Sequence, residues 1–204
     1  MADVYDGGDD NTAMKDLQRL ADQGDAKAQF ELGFRYAHGY GVSRDDQEAA
    51  KWYRQAAEQG DADGQHALGV MYDKGQGVPK DFQEAARWYR LAADQGHAKA
   101  QTILGRMYAQ GQEVAQNDQE AFRWFRKAAE QGYAPAEAVL GSMYYEDRSG
   151  APQDYVLAHM WLNLAAAQGF EKAAELRDLL EKAMTPAQIA GAQRLAREWK
   201  PNRK

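Results

Sequence analysis

Apolar and polar positions along this chain repeat every 36 residues, and each period reads as two amphipathic helices separated by glycine turns. Asp25–Gly60, Asp61–Gly96 and His97–Gly132 each span 36 residues, and Tyr133–Gly169 spans 37. The first helix of each period carries Leu-Gly-x-x-Tyr: Leu32, Gly33 and Tyr36; Leu68, Gly69 and Tyr72; Leu104, Gly105 and Tyr108; Leu140, Gly141 and Tyr144. At 100° per residue, the small residue four before each Leu, the Leu, and the Tyr four after it share one face, which is therefore the core face. A glycine inside a helix costs about 1 kcal/mol relative to alanine, so four of them in register predict the close approach of another group. The repeated tryptophans, Trp52, Trp88, Trp124 and Trp161, are the expected partners.

Gly39-Tyr40-Gly41-Val42 and Gly75-Gln76-Gly77-Val78 follow the first helices, weakened to Gly111-Gln112-Glu113-Val114 in the third period. A capping box is predicted to open each second helix at Asp45–Glu48, Asp81–Glu84 and Asn117–Glu120. The second helix presents Ala, Trp, an aromatic and Ala to the core, as in Ala49, Trp52, Tyr53 and Ala56, and Gln-Gly ends it with the glycine at C′. Ahead of the periods, residues 1–24 read as a lead-in and a lone helix, Asn11–Gln23, with Met14, Leu17, Leu20 and Ala21 on one stripe.

The fourth period departs from the plan. It carries an unusual loop, Glu146–Pro152, and a second helix with Leu157, Met160 and Leu164 on its outward side. Such a face calls for a cover, and residues 170–204 supply one. Phe170–Ala183 reads as a helix with Ala173, Leu176 and Leu180 inward. Thr185-Pro186-Ala187-Gln188 is a capping box for a last helix carrying Ile189, Ala192, Leu195, Ala196 and Trp199, ended by Pro201.

The pattern Ala98-x-Ala100-x-x-x-Leu104-Gly105-x-x-Tyr108, then Gly75-x-Gly77-Val78-x-x-Asp81, then Glu84-Ala85-Ala86-x-Trp88-Tyr89-x-x-Ala92-Ala93-x-Gln95-Gly96, resembles the Sel-one-like repeat family, relatives of the tetratricopeptide repeat. The resemblance covers about Asn11 to Gly169. It implies an all-α, α/α solenoid with a right-handed superhelical curve, the first helices on its concave side. It also implies work as a scaffold or adaptor for other proteins. Cysteine-rich relatives act on or bind cell-wall compounds; this chain has no cysteine, and a peptidoglycan-related ligand or hydrolase activity stands as the alternative.

Composition narrows the partner. A formal net charge of −6 disfavours nucleic acid, whose phosphates call for an excess of Lys and Arg. Zero Cys excludes disulfides and thiolate metal sites, and no apolar run reaches the length of a membrane span. The first residues lack the pattern of a signal peptide, and the compartment stays open.

Little here points to catalysis. His38, His66, His97 and His159 show no metal-ligand spacing and read as solvated or capping residues. The Gly-x-Gly loops lack a following Lys-Ser/Thr, and no nucleophile–base pair can be ordered locally. No cofactor is expected. Basic residues on the second helices, such as Lys51, Arg87 and Arg123, have acidic residues three or four positions away and form a self-neutralised face.

The far side of the first helices does vary between periods. It presents Lys27, Phe30, Phe34 and His38; Asp63, His66, Val70 and Lys74; Lys99, Thr102, Arg106 and Gln110; and Pro135, Ala138, Ser142 and Glu146. Phe30 and Phe34, one turn apart and pointing off the core face, imply a partner's groove or burial under a neighbour such as the segment around Tyr5. Phe30, Phe34, His38, His66, Val70, Lys74 and Arg106 are the candidate contacts for a protein or peptide on the concave face. Self-association through the Phe pair or the apolar fourth period is a further option.

Overall fold

The computed structural model describes residues 10–146 and 153–202, and the chain divides after Gln95 into two compact units. Among the described residues there are eleven α-helices and no strand, which makes the fold the all-α solenoid class of tandem helix pairs. The first unit holds α1 (Asp10–Asp22), α2 (Ala26–His38), α3 (Asp46–Glu58), α4 (Ala62–Lys74) and α5 (Phe82–Asp94), each packed on the next. The second holds α6 (Ala98–Gln110), α7 (Asp118–Glu130), α8 (Ala134–Glu146) and α9 (Tyr155–Ala167), likewise packed in sequence. Its α10 (Glu171–Glu181) and α11 (Pro186–Glu198) both lie on α9. The loop before Asp154 and the segment around Tyr5 lie largely or wholly outside the described residues.

The core face of the first helices is as expected: Leu32, Leu68, Leu104 and Leu140 are fully buried, and Ala28, Gly64, Ala100 and Ala136 are buried beside them. The partner of the helical glycines is not the tryptophan, however. A Cβ on Gly33 or Gly69 would stand 2.8 Å from the ring of Tyr53 or Tyr89, and one on Gly105 would stand 3.1 Å from Phe125. In the fourth repeat Leu162 takes the place of the aromatic, 2.7 Å from where a Cβ on Gly141 would be. The residue after each tryptophan therefore lies flat on bare backbone and closes the hairpin.

The tryptophan does a different job. Trp52 clusters with Ala21 of α1 as well as Ala28 and Leu32 of α2. Trp88 clusters with Ala49, Ala50 and Ala57 of α3 and with Leu68 and Met71 of α4. Trp161 packs on Ala128 and Ala129 of α7. Each of these rings joins its own hairpin to the second helix before it. Trp161 continues the scheme outward, meeting Trp199 edge-on at 5.6 Å and 74°, with Leu195 and Ala196 covering Leu157 and Leu164. The tail thus covers the apolar fourth repeat, and its capping box at Thr185–Gln188 is complete, with Pro186 in the first turn.

The other predicted capping boxes form by half. Asp45 and Asp81 accept from two backbone amides each, and Asn117 accepts from Glu120. The backbone N–H of the cap residue does not go to the Glu side chain. It donates to the carbonyl of the first-helix Tyr: Asp45 to Tyr36, Asp81 to Tyr72, Asn117 to Tyr108 and Asp154 to Tyr144, at 2.9–3.0 Å. Glu48, Glu84 and Glu120 pair instead with Lys51, Arg87 and Arg123. This explains how Leu157 can replace the Glu without loss of the cap, since Asp154 still accepts from Val156 and Leu157.

The Gln-Gly endings at Gly60, Gly132 and Gly169 are Schellman turns. Gly60 N–H donates to Ala57 and Asp61 N–H to Ala56, and Asp61 then caps α4 through Gly64. One residue thereby ends one helix and starts the next. Glu113 takes up a left-handed conformation, φ 57°, where the first two loops have Gly41 and Gly77, and it is the one non-glycine with positive φ among the described residues. Leu20, expected on the inner stripe of α1, is 41% exposed, while Met14 and Leu17 do pack inward.

The packing scheme makes opposite forecasts for one type of substitution. Gly69→Ala, which drives a methyl into the Tyr89 ring, should lower stability by about 1–3 kcal/mol despite its gain in helix propensity. Gly191→Ala in α11, where no atom lies within 4 Å of the added Cβ, should raise it by up to about 1 kcal/mol. Denaturant titration of both variants measures the two signs. Trp88→Ala should cost about 3–5 kcal/mol, and an unchanged melting temperature would contradict its bridging role.

Candidate functional site

In the first unit the far face of α2 carries an aromatic cluster. Phe34 lies 4.1 Å from the His38 ring and 5.8 Å from that of Tyr40, and His38 stacks on Tyr40 at 5.6 Å and 16°. The His38 ring is held by Nδ1 against the Phe34 carbonyl at 2.8 Å. Phe30 turns the other way, 5.7 Å from Tyr53, and both Phe rings are half-buried against the α3–α4 core. Burial pushes the Tyr53 phenol up to about 12, with the charge of Glu31 adding to the rise. On α4, Val70 is half-buried, Lys74 is exposed, and the His66 ring lies 6.0 Å from that of Tyr89. Tyr40, 57% exposed, is the residue of this cluster that helical periodicity could not reveal, because it sits in the loop.

The second unit holds a groove of about 700 Å³ between its first helices, α6 and α8. Phe125, Val139 and Met143 line its apolar part, and Phe170, at the start of α10, stands at one wall, 37% exposed. Thr102, Arg106, Gln110, Gln116 and Asp118 supply polar edges. Arg106 is exposed and makes no ion pair among the described residues; its charge opposes the rise that burial imposes on the Tyr133 phenol. Arg106 and its neighbours Thr102 and Gln110 were placed on the variable face by periodicity. Ala138 was placed there too, but it is 8% exposed and belongs to the core with Leu162. Phe170, Gln116 and Asp118 come from loops and helix starts, beyond the reach of a helical wheel.

In each unit a part-buried pair of side chains recurs from repeat to repeat. Gln59 donates to Gln29 at 2.6 Å, Gln95 to Gln65 at 2.8 Å and Gln131 to Gln101 at 2.8 Å. Gln29 and Gln65 each donate in turn to a backbone carbonyl eight residues back, of Ala21 and Ala57. In the fourth repeat the buried amide is a carboxyl. Glu137 accepts from Gln168 at 2.8 Å, and its other oxygen is buried without a partner. Burial pushes this carboxyl up to about 7, against the opposing effect of the Gln168 hydrogen bond.

Of the four histidines, His97 caps α6 by accepting from Ala100, in keeping with the capping role expected of it. His159 overturns the solvated reading. It is fully buried, with Nε2 2.7 Å from Glu181 on α10. It occupies the position of Ala50 in the first repeat, and only the added tail helix gives it a partner. Among the described residues no group of three His, Asp or Glu side chains could hold a metal ion. No helix is long and apolar enough to cross a membrane.

Residues 26–61, 62–97, 98–133 and 134–170 each match the Sel1 repeat model. The chain belongs to the Sel1 repeat family. Repeats of this family are helical scaffolds, typically non-catalytic, that generally mediate contacts between proteins. Among solved structures, the chain is similar to a Sel1 repeat protein from Oxalobacter formigenes, with 32% identity and a TM-score of 0.78 over 94% of this chain and 80% of that one. It is similar to a protective antigen of uropathogenic Escherichia coli with an SLR fold, at 32% identity and a TM-score of 0.65 over 94% of this chain; it spans about half, 49%, of that protein. Cysteine-rich protein B of Helicobacter pylori is 28% identical, with a TM-score of 0.51 over 66% of this chain and 99% of that one. No match was found among curated proteins.

The Glu137 carboxyl gives this Sel1 repeat protein a pH-dependent stability whose sign is fixed. A folded-state pKa near 7, above the ordinary 4.5, means that the fold favours the protonated form. Stability is full below about pH 4.5, falls as pH rises toward 7, and is level above that. Glu137→Gln restores the amide of the other repeats. It should leave the melting temperature unchanged near pH 4.5 and raise it at pH 8, by a stability gain of at most about 3 kcal/mol. Equal melting of both proteins at pH 8 would remove Glu137 from this role.

Proposed function

We propose that this protein is a non-enzymatic scaffold that binds an extended protein segment on the variable face of its first helices, with the α6–α8 groove as the principal site. The observation that carries this reading is the composition of that groove. It has an apolar floor of Phe125, Val139 and Met143, walled by Phe170, beside an arginine with no ionic partner among the described residues. Such a floor takes an aliphatic or aromatic side chain, Met143 adapting to its shape, and Arg106 takes a carboxylate next to it. Gln110 and Gln116 at the edge offer both donors and acceptors to the backbone of an extended chain. A segment with an acidic residue beside an apolar one fits this chemistry. In the first unit, Phe34, His38 and Tyr40 offer a second aromatic surface, with Val70 and Lys74 on α4 extending the variable face there.

Selection of peptides from a random display library tests the reading directly. The wild type should enrich sequences that pair an apolar residue with Asp or Glu. Arg106→Glu should weaken binding of the enriched peptides at least tenfold, about 1.4 kcal/mol, with helicity intact. Phe34→Ala with Phe30→Ala should leave peptides of this groove bound. Enrichment indifferent to Arg106 would overturn the groove assignment, and capture of peptidoglycan fragments by the same surface would move the function to the cell-wall class.

A further inference from the structure

Glu137 and the groove meet at one turn. Gln168, which donates to Glu137, caps the end of α9; Gly169 follows with φ 87°, and Phe170 is next, at the groove wall. The turn is a Schellman ending, with Gly169 N–H donating to Ala166 and Phe170 N–H to Ala165 at 3.1 Å. The Gln59-Gly60-Asp61 turn of the first unit is the same device, but its side-chain bond goes to an uncharged Gln29. The fourth repeat alone among the four puts a titratable group under the turn.

We infer that Glu137 is a proton-controlled latch beneath the Gln168–Gly169–Phe170 turn: protonated, it keeps the turn closed and Phe170 in place at the groove wall, and ionised, it drives the turn open to hydrate its second oxygen. This rests on the reading of the groove as the binding site. Gln29 and Gln65 each satisfy a carbonyl eight residues back through an amide N–H. By repeat equivalence that carbonyl here is Ala129's, and only the protonated form of Glu137 has a donor for it. The ionised form gains a stronger bond from Gln168 but leaves its second oxygen buried without a protein donor. Hydrating that oxygen requires the packing around it to give way, and Gln168, the side chain bonded to this carboxyl, belongs to the exposed turn that carries Phe170.

No neighbouring charge relieves the carboxylate. On α7, Arg126 pairs with Glu130, and Lys127 sits over the Trp124 ring. On α9, His159 is bonded to Glu181 of α10, and Glu171 and Lys172 at the start of α10 are exposed. Tyr133, just before α8, and Tyr144 on α8 are phenols whose ionisation burial opposes. None of these groups is hydrogen-bonded to Glu137.

Amide hydrogen exchange resolved by NMR tests the latch without any ligand. Protection of the Phe170 and Gly169 amides, corrected for intrinsic rates, should fall at least about tenfold between about pH 5.5 and about pH 8.5. The Asp61 amide, in the equivalent turn over the uncharged Gln29, should not change over that range. Glu137→Gln should abolish the fall, and His159→Gln should keep it. Equal protection of Phe170 at both pH values, or loss of the effect in His159→Gln, overturns the latch. Where the Glu137→Gln protein does not fold, the carboxyl carbon shift of Glu137 in the wild type decides: titration near pH 7 supports the latch and titration near pH 4.5 overturns it. Because the readout is exchange and not peptide affinity, a groove that binds nothing would leave this result standing, and a failed latch would leave the groove untouched.

Discussion

The fold depends on the contact between a bare stretch of helix backbone and the flat side chain laid on it. Gly33, Gly69 and Gly105 leave out a Cβ so that Tyr53, Tyr89 and Phe125 can reach the backbone of the paired helix. Each glycine costs helix propensity, and the close-packed ring offsets that cost through dispersion and removal of apolar surface from water. Gly141 keeps the arrangement with Leu162 in place of the ring, so the requirement is for a side chain filling the gap and not for aromatic chemistry as such.

From that contact a division of labour follows. The side chain after the tryptophan closes a hairpin; Trp52, Trp88 and Trp161 attach their hairpins to the helix before. Polar groups then fix what apolar packing leaves free. The cap residue's N–H to the first-helix Tyr carbonyl sets the two helices of a pair relative to each other, and the buried glutamines tie the end of a pair to its beginning and to the preceding helix. Buried polar groups tolerate this only where every donor and acceptor is matched. Glu137 breaks the match at one oxygen, which is why a single amide-to-carboxyl change can make one repeat respond to pH while the others do not.

The surface that varies between repeats is freed by the same constraints. Core, caps and glutamine pairs use the inward faces and the ends of the helices, so the far faces of α6 and α8 can differ at their exposed positions without altering the framework, whereas Ala138 is held by the core. Arg106 is exposed on that face beside Phe125 and Met143, whose own burial is dictated by the core. A binding groove of this kind combines fixed apolar residues with freely chosen polar ones, and rigidity keeps the ordering cost of binding low.

Read alone, the sequence already carries the all-α class, the number and order of the helices, the buried Leu and Trp positions, and the covering role of the tail. All of these follow from the 3.6-residue period and from repetition, which are local and countable. It also marked Arg106, Phe30 and Phe34 as facing away from the Leu stripe. That the residue after the tryptophan, and not the tryptophan, lies on the glycines emerges from the packing, because neighbouring positions on a helix differ by about 100° and every repeat fills both with large side chains. The tertiary structure alone gave the cap amides their Tyr partners, buried His159 against Glu181, and set Phe170 at the groove and Glu137 under its turn. Those contacts join residues separated by turns whose path no periodicity encodes, and the polarity of each side chain was decided by what the distant partner supplies.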